Sequence, residues 1–140
     1  MIPPDASQRA LTDGTTPLGQ LRQIVEEFIR ARAWEPFHTP KNLAMALAIE
    51  AAELMEHFQW LTPEQAEQVK NDEVKRSAVA DELADVFCYV MALANRLEID
   101  LSAAVQAKMV KNARKYPVEE FRGFFGPNDP RWPGRGSSAH

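Results

Sequence analysis

The sequence predicts an all-α protein, an antiparallel four-helix-bundle-like domain of four to five helices that assembles as a homo-oligomer. Glycine is absent between Gln20 and Pro117, and runs of β-branched residues are scarce there. Apolar residues recur in this region at spacings of three and four, as on one face of a helix. Short loops between such helices favour antiparallel neighbours. A chain of 140 residues, 45% of them hydrophobic, suffices for one such domain.

The two ends of the chain are expected to lie outside this domain. Residues 1–17 combine prolines with small polar residues and show no apolar period, which is typical of a flexible leader. Residues 123–140 form a flexible tail so rich in proline and glycine that regular helices and strands are excluded. The helical domain is therefore predicted over residues 18–122.

Helix start signals divide this domain. A first amphipathic helix begins at Leu18 and is expected to end near Trp34. The pair Thr39-Pro40 begins a second helix, because threonine caps free N–H groups and proline suits the first helical position. The apolar stripe of this second helix consists of Leu43, Leu47, Leu54, Phe58 and Leu61.

The same start signal occurs again at Thr62-Pro63, before a short polar helix over Glu64–Lys70. A long helix from about Val74 to Leu97 follows, and either Asp100 or Ser102 can cap a last helix over about 101–116. The last helix ends before a proline, since proline disfavours a helical conformation in the residue before it.

The second helix and the long fourth helix are apolar nearly all round. A domain of this size has too few neighbours to cover two such helices, so a homo-oligomer is expected. The alternative is that small alanines let the helices approach closely within one monomer. The residues on the sides away from the stripes are Ala44, Met45, Ala48, Ala51, Ala52 and Met55 in the second helix and Ala84, Cys88, Met91 and Ala92 in the fourth.

Charge and composition exclude several classes of protein. The chain has 16 basic and 20 acidic residues, a net charge of −4, and no basic cluster that would form a broad nucleic-acid surface. No stretch reaches the ~20 uncharged apolar residues of a membrane helix. A single cysteine cannot form an intramolecular disulfide. The N-terminus lacks the pattern of a secretory signal, so a cytoplasmic protein is expected.

Four acidic residues form two pairs with the same spacing, Glu50 with Glu53 and Glu82 with Asp85. A spacing of three places each pair on one helix face, and Glu50 falls inside the apolar stripe. If the two helices pack together, the carboxylates converge, and two like charges 4 Å apart repel by about 4 kcal/mol at an effective dielectric near 20. A hard divalent cation relieves this repulsion, and oxygen ligands favour Mg²⁺, with Mn²⁺ as a substitute. Solvated helix faces carry similar pairs, so the residues alone leave both interpretations open.

A di-iron carboxylate site fits the pattern less well than a magnesium site. Such a site has Glu-x-x-His pairs that project inward, whereas the partners at the third position here are Glu53 and Asp85. The imidazole nearest to the acids in the sequence is His57, four residues after Glu53. A lone histidine beside an apolar stripe is more often structural than a ligand.

Basic and polar residues share one face of the last helix. Lys108, Asn112 and Lys115 are spaced by four and three residues. Such a face can hold phosphates, or it can be a solvated cationic end that complements the helix dipole.

Aromatic residues gather around the first loop and at the far end of the second helix. Trp34 and His38 lie in the first region and Trp60 in the second. Flat rings with a polar edge can stack on a nucleobase, and they can equally pack in a core.

Four segments, in this order, resemble the all-α nucleoside triphosphate pyrophosphatases of the MazG-like superfamily, and most closely their dCTP pyrophosphatase branch. The family often has two glutamates at the start of its first motif, whereas Ile49 precedes Glu50 here. This departure leaves the four principal acids in place. The matching segments are WEPFHTPKNL at 34–43, IEAAELMEHFQW at 49–60, DELADVFCYVMALANRLEIDL at 81–101 and KMVKNARKYP at 108–117.

The resemblance implies a site in which Glu50, Glu53, Glu82 and Asp85 bind Mg²⁺ and the metal engages the triphosphate of a nucleotide. Glu53 or Glu50 would then be the catalytic carboxylate that orients or deprotonates a water. The products would be a nucleoside monophosphate and pyrophosphate. dCTP or a modified pyrimidine deoxynucleotide is the expected substrate, and house-cleaning of the nucleotide pool is the expected role.

The resemblance also implies positions for the rest of the substrate. Family members assemble as dimers or tetramers. The alternative to an enzyme is a non-catalytic regulatory module that uses the bundle to bind a nucleotide or a protein partner. The implied phosphate-binding residues are Lys108, Asn112 and Tyr89, and the implied base-binding residues are Trp34, His38 and Trp60.

Overall fold

The computed structural model describes residues 10–124 and 129–130. Within these residues the secondary structure is helical and contains no β-strand, which confirms the all-α class. Residues 1–9 of the predicted leader, and 125–128 and 131–140 of the predicted tail, lie outside the described residues. The α-helices are α1 (Leu18–Arg30), α2 (Pro40–Glu56), α3 (Pro63–Gln68), α4 (Glu73–Arg96), α5 (Leu101–Lys115) and α6 (Val118–Phe121), with a 3₁₀ turn, Val69–Asn71, after α3.

The chain divides into two compact units, Met1–Ile99 and Asp100–His140. The first unit holds α1 to α4, and the second holds α5 and α6. Among the described helices, none has both the length and the apolar character needed to cross a lipid bilayer.

Side-chain caps begin four of the helices. Thr39, Thr62, Asp72 and Asp100 each accept a hydrogen bond from the backbone N–H three residues later, at 2.9 to 3.3 Å. At Thr62 the bond is reciprocal and forms a capping box. The two predicted Thr-Pro start signals are therefore confirmed, and Asp100 rather than Ser102 caps α5.

Two helices are shorter than their apolar spacing predicts. α1 ends at Arg30 rather than near Trp34, because Ala33 adopts a left-handed conformation with φ of 50°. The Trp34 N–H then donates to the Ile29 carbonyl at 3.2 Å and closes the helix end. α2 ends at Glu56, so Phe58 and Leu61, the last two residues of its predicted stripe, lie after the helix.

The core of the first unit forms where α1, α2 and α4 meet. Leu43 has only 2% of its surface exposed and packs with Ile29 and Ala92. Leu43 lies near the start of α2 and Ala92 near the end of α4, so these two helices run antiparallel. The acidic residues lie about two to three helical turns from this contact, later in α2 and earlier in α4.

Shortening Leu43 is expected to weaken the fold strongly. Leu43→Ala removes buried methyl groups and leaves a cavity, which lowers the free energy of unfolding by about 2–5 kcal/mol. Urea denaturation followed by circular dichroism measures this loss. Val74→Ala is the control, since Val74 is 81% exposed on α4 and its truncation is expected to change stability by about 0.5 kcal/mol or less. Equal losses in the two variants would contradict the assignment of Leu43 to the core.

Candidate metal centre

α2 and α4 bring three of the four predicted acids together. Glu50, Glu53 and Glu82 each offer a carboxylate oxygen, and these oxygens lie within 4.8 Å of one another. Asp85 lies one turn after Glu82 and is outside this close group, although its charge acts on Glu50. The antiparallel packing explains the arrangement, because it places the middle of α2 against the first half of α4.

The inward face of α2 carries Glu50 together with apolar residues. Glu50 is half-buried, as are Leu47 and Leu54 on either side of it in the stripe. Glu53 is exposed at the flank of this face. The spacing in the sequence predicts both placements: one carboxylate inside the stripe and the other beside it.

Charge repulsion is concentrated at Glu50. Burial raises the pKa of the Glu50 carboxyl above its ordinary value of 4.5, and the nearby charges of Glu53, Asp85 and Glu82 raise it further. A hydrogen bond with the Glu53 side chain acts in the same direction. Glu50 therefore resists losing its proton unless a positive charge is added.

Tyr89 lies close to the acids and packs against the apolar core. Burial raises the pKa of its hydroxyl, and the charges of Glu50 and Asp85 raise it further. The hydroxyl therefore keeps its proton at neutral pH and remains a hydrogen-bond donor beside the carboxylates.

The donor set fits a hard divalent cation. Oε2 of Glu82 is buried and has no hydrogen-bond partner within the described part of the chain. Leaving a buried acceptor unpaired is costly, and a cation would supply the missing partner. The close donors are all carboxylate oxygens, which Mg²⁺ and Mn²⁺ prefer.

His57 lies beside these acids, which its sequence position alone did not establish. Its Nε2 is 4.0 Å from Oε1 of Glu82. The sequence feature that indicates this placement is the spacing of His57, which follows Glu50 by seven residues and Glu53 by four. Residues at these spacings share a helix face. The sequence does not show which residue of α4 that face meets.

The aromatic residues proposed for base binding occupy two separate places. The rings of Trp34 and His38 stack with centroids 6.0 Å apart and planes 13° apart. Trp60 is 86% exposed and follows the other end of α2. At 1.5 Å per residue, the 17 residues of α2 span about 25 Å. One chain therefore does not bring all three rings into a single pocket.

His38 also borders a cavity at the N-terminal end of α2. The cavity has a volume of about 230 Å³. Its lining contains three carboxylates and one guanidinium, so it is polar and mainly acidic. The lining residues are Glu26, Ile29, Glu35, His38, Leu43, Ala92, Asn95, Arg96 and Glu98.

The proposed phosphate-binding residues of the second unit share a face of α5. Lys108 is exposed and Asn112 is half-buried, and the spacing of four residues places both on one side of the helix. This confirms their helical placement, whereas their role in phosphate binding stays a prediction.

Comparison with known proteins assigns the chain to a family. A family model described as "MazG-like family" matches residues 45–124, which include all four acids. The chain belongs to the MazG-like family. This confirms the resemblance found in the sequence segments.

Relatives of this MazG-like chain carry the names of pyrophosphatases. It is 42% identical to dCTP pyrophosphatase 1 of Bos taurus over 106 residues, 76% of this chain and 63% of the relative. It is 43% identical to dCTP pyrophosphatase 1 of Homo sapiens over 101 residues, 72% of this chain and 59% of the relative. The chain thus spans less than two thirds of these curated relatives.

A solved structure resembles the MazG-like chain, and nearly the whole of the solved chain takes part in the match. The crystal structure of a pyrophosphatase from Archaeoglobus fulgidus matches with a TM-score of 0.65 and 41% sequence identity. The match covers 77% of this chain and 99% of the other. This chain is therefore similar to that pyrophosphatase in both fold and sequence.

The repulsion at Glu50 predicts how the metal-free MazG-like protein responds to pH. Because folding raises the pKa of Glu50 above 4.5, the folded state binds this proton more tightly than the unfolded state. The resulting stabilisation is complete below about pH 4.5 and is lost as the pH rises through the folded pKa. We expect the Tm of Glu50→Gln to exceed that of the wild type by a margin that grows as the pH rises above 4.5 and levels off above the folded pKa of Glu50.

Differential scanning calorimetry of the wild type and Glu50→Gln, in buffer that contains a metal chelator, measures this difference in Tm. Added Mg²⁺ is expected to raise the wild-type Tm more at pH 7 than at pH 5, since the cation replaces the proton that is lost. A Tm difference between the two proteins that does not change with pH would contradict the assigned repulsion.

Proposed function

We propose that this protein is a Mg²⁺-dependent nucleoside triphosphate pyrophosphohydrolase, which converts a (deoxy)nucleoside triphosphate to the monophosphate and pyrophosphate. The observation that carries the proposal is the convergence of the Glu50, Glu53 and Glu82 carboxylates on facing helices. The names of the relatives support the same reaction, since they are pyrophosphatases at 41% to 43% identity.

The acidic cluster would hold the cation through Glu50, Glu53 and Glu82, with Asp85 completing the set. When bound, Mg²⁺ neutralises phosphate charge and lowers the pKa of a coordinated water. In the reaction, water adds to the triphosphate and the link between its α- and β-phosphates breaks. Glu53 is the exposed member of the close group, which gives it the best access to the water as a general base.

For the phosphates of the substrate, we propose Tyr89 in the first unit and Lys108 and Asn112 in the second as binding residues. The Tyr89 hydroxyl keeps its proton because its pKa is raised, so it can donate a hydrogen bond to a phosphate oxygen. Lys108 supplies a positive charge and Asn112 an amide donor on one face of α5. Both groups favour an anionic ligand over a neutral one.

For the base, we propose dCTP or a modified pyrimidine deoxynucleotide, with nucleotide-pool house-cleaning as the role. His38, whose ring stacks on that of Trp34, lines the acidic cavity. Its carboxylates, from Glu26, Glu35 and Glu98, are hydrogen-bond acceptors. Cytosine presents an exocyclic amino donor at the position where uracil and thymine present a carbonyl. An acidic cavity therefore favours cytosine.

We also propose that the enzyme is a homo-oligomer, a dimer or a tetramer. The side of α2 away from its stripe is exposed throughout, from Ala44 to Met55. In α4 the exposed apolar residues include Leu83 and Phe87. An apolar surface of this extent is unfavourable in water. A second copy would cover it. If the α2 helices of the two copies ran antiparallel, Trp60 of one copy would lie near Trp34 of the other, since these residues lie beyond opposite ends of α2.

Pyrophosphate release from a panel of triphosphates tests the reaction. We expect Mg²⁺-dependent release of pyrophosphate without inorganic phosphate, fastest with dCTP. dUTP is the matched control for the base, since it differs by the exocyclic amino group. Binding of nucleotides by a folded protein without turnover of any triphosphate would overturn the enzyme and favour the regulatory module.

A further inference from the structure

We propose that His57 is a positioning residue of the acidic site, which holds Oε1 of Glu82 and leaves Oε2 for the cation. This inference rests on the proposed function, because it assumes that Glu82 is a metal ligand. It adds a residue that acts through another and does not itself bind the metal.

The two oxygens of Glu82 have different surroundings. Oε1 faces Nε2 of His57 at 4.0 Å. Oε2 is buried and has no hydrogen-bond partner in the described part of the chain. The two oxygens of the Glu82 carboxylate therefore differ: Oε1 lies near the His57 nitrogen, and Oε2 has no hydrogen-bond partner among the described residues. This difference suits a carboxylate that binds a metal through one oxygen, since the other oxygen is then free to accept a hydrogen bond that orients the group.

The backbone fixes His57 at a suitable point. It is the C-cap of α2 and follows Glu53 by one turn on the same face. The next two residues, Phe58 and Gln59, both donate backbone hydrogen bonds to the Met55 carbonyl at 3.0 Å. The ring thus extends toward α4 from a closed helix end rather than from a free loop.

The His57–Glu82 pair is partly shielded from water. The His57 side chain is 32% exposed and that of Glu82 is 22% exposed. An interaction in such surroundings is stronger than one on an open surface. A distance of 4.0 Å exceeds a hydrogen bond, and a side-chain shift of about 1 Å closes it. A neutral imidazole with its proton on Nε2 can then donate to Oε1, so the contact needs no change of charge.

The geometry separates this role from that of a direct ligand. The group of oxygens within 4.8 Å comprises Glu50, Glu53 and Glu82, and His57 is not a member. Its nitrogen faces Oε1, whereas the unpartnered oxygen is Oε2. Partners of this kind typically change metal affinity by about 10- to 100-fold when they are removed.

Binding of Mn²⁺ alone, followed by electron paramagnetic resonance, tests the proposal without relying on activity. His57→Leu removes the donor while it retains a side chain of similar size, and it is expected to weaken Mn²⁺ binding by about 10- to 100-fold. His57→Gln retains an N–H donor and is expected to remain within about 3-fold of the wild type. Gln59→Leu, an exposed position two residues away, is the control and should bind as the wild type does.

The Mn²⁺-binding results distinguish a failure of the His57 positioning role from a failure of the proposed metal site. If the wild type does not bind Mn²⁺, the proposed metal site itself fails. If the wild type binds and His57→Leu binds equally well, the positioning role is wrong and the metal site stands. A packing role would instead be rescued by leucine and lost with glutamine. Circular dichroism checks folding, and His57→Met provides a second variant without a donor if His57→Leu does not fold.

Discussion

Replacing Glu53 with glutamine is expected to lower kcat for pyrophosphate release by about 10²- to 10⁴-fold. An amide can neither accept a proton from water nor hold a cation through a negative oxygen. Glu53 is exposed, so the substitution leaves the packing between α2 and α4 intact. A pyrophosphate-coupled assay with dCTP at saturating Mg²⁺ measures the loss, and circular dichroism checks that the variant is folded.

Glu56→Gln is the matched control for this experiment. Glu56 lies three residues further along α2, is exposed, and is outside the acidic group. Both variants remove one negative charge from the same helix by the same isosteric change. We expect Glu56→Gln to retain nearly full activity. A similar loss in both variants would mean that the net charge of the surface, rather than the position of Glu53, controls the rate.

Local signals account for the part of the site that the sequence predicts. The Thr39 and Thr62 caps begin α2 and α3 because each hydroxyl satisfies a backbone N–H three residues away. The spacing of Glu50 within its apolar stripe predicts that it turns inward, and the structure shows it half-buried. These inferences need only neighbours within one helix, so they hold without knowledge of the tertiary fold.

Features that depend on contacts between elements were not available from the sequence. The sequence predicts that a second copy covers Met91 and Ala92, on the side of the fourth helix away from its stripe. Both are instead buried within the single chain, where α1 and α2 pack on α4. The early end of α1 depends on a left-handed alanine, Ala33, a conformation that local propensity disfavours. Similarly, the proximity of His57 to Glu82 can be predicted only if the register between α2 and α4 is known.

Placing a lysine on the outer side of α2 is expected to dissociate the proposed oligomer. Met45 is 56% exposed in the single chain. If a second copy covers it, Met45→Lys loses about 1.5–3 kcal/mol of apolar burial, and desolvation of the ammonium adds to the cost. In a two-fold interface each substitution occurs twice. A total of about 5 kcal/mol weakens the dissociation constant by about 10³- to 10⁴-fold.

Light scattering coupled to size-exclusion chromatography measures the mass of wild type, Met45→Lys and the control Val74→Lys. Val74 is also an exposed apolar residue, 81% exposed at the first turn of α4. It is not part of the exposed side of α2 that is proposed as the interface. Only Met45→Lys is expected to elute as a monomer. Its KM for dCTP should rise as well, since Trp60 and the Trp34–His38 stack lie at opposite ends of α2 and can meet only across two copies. A monomeric wild type with full activity would show that the base is bound within one chain, without Trp60.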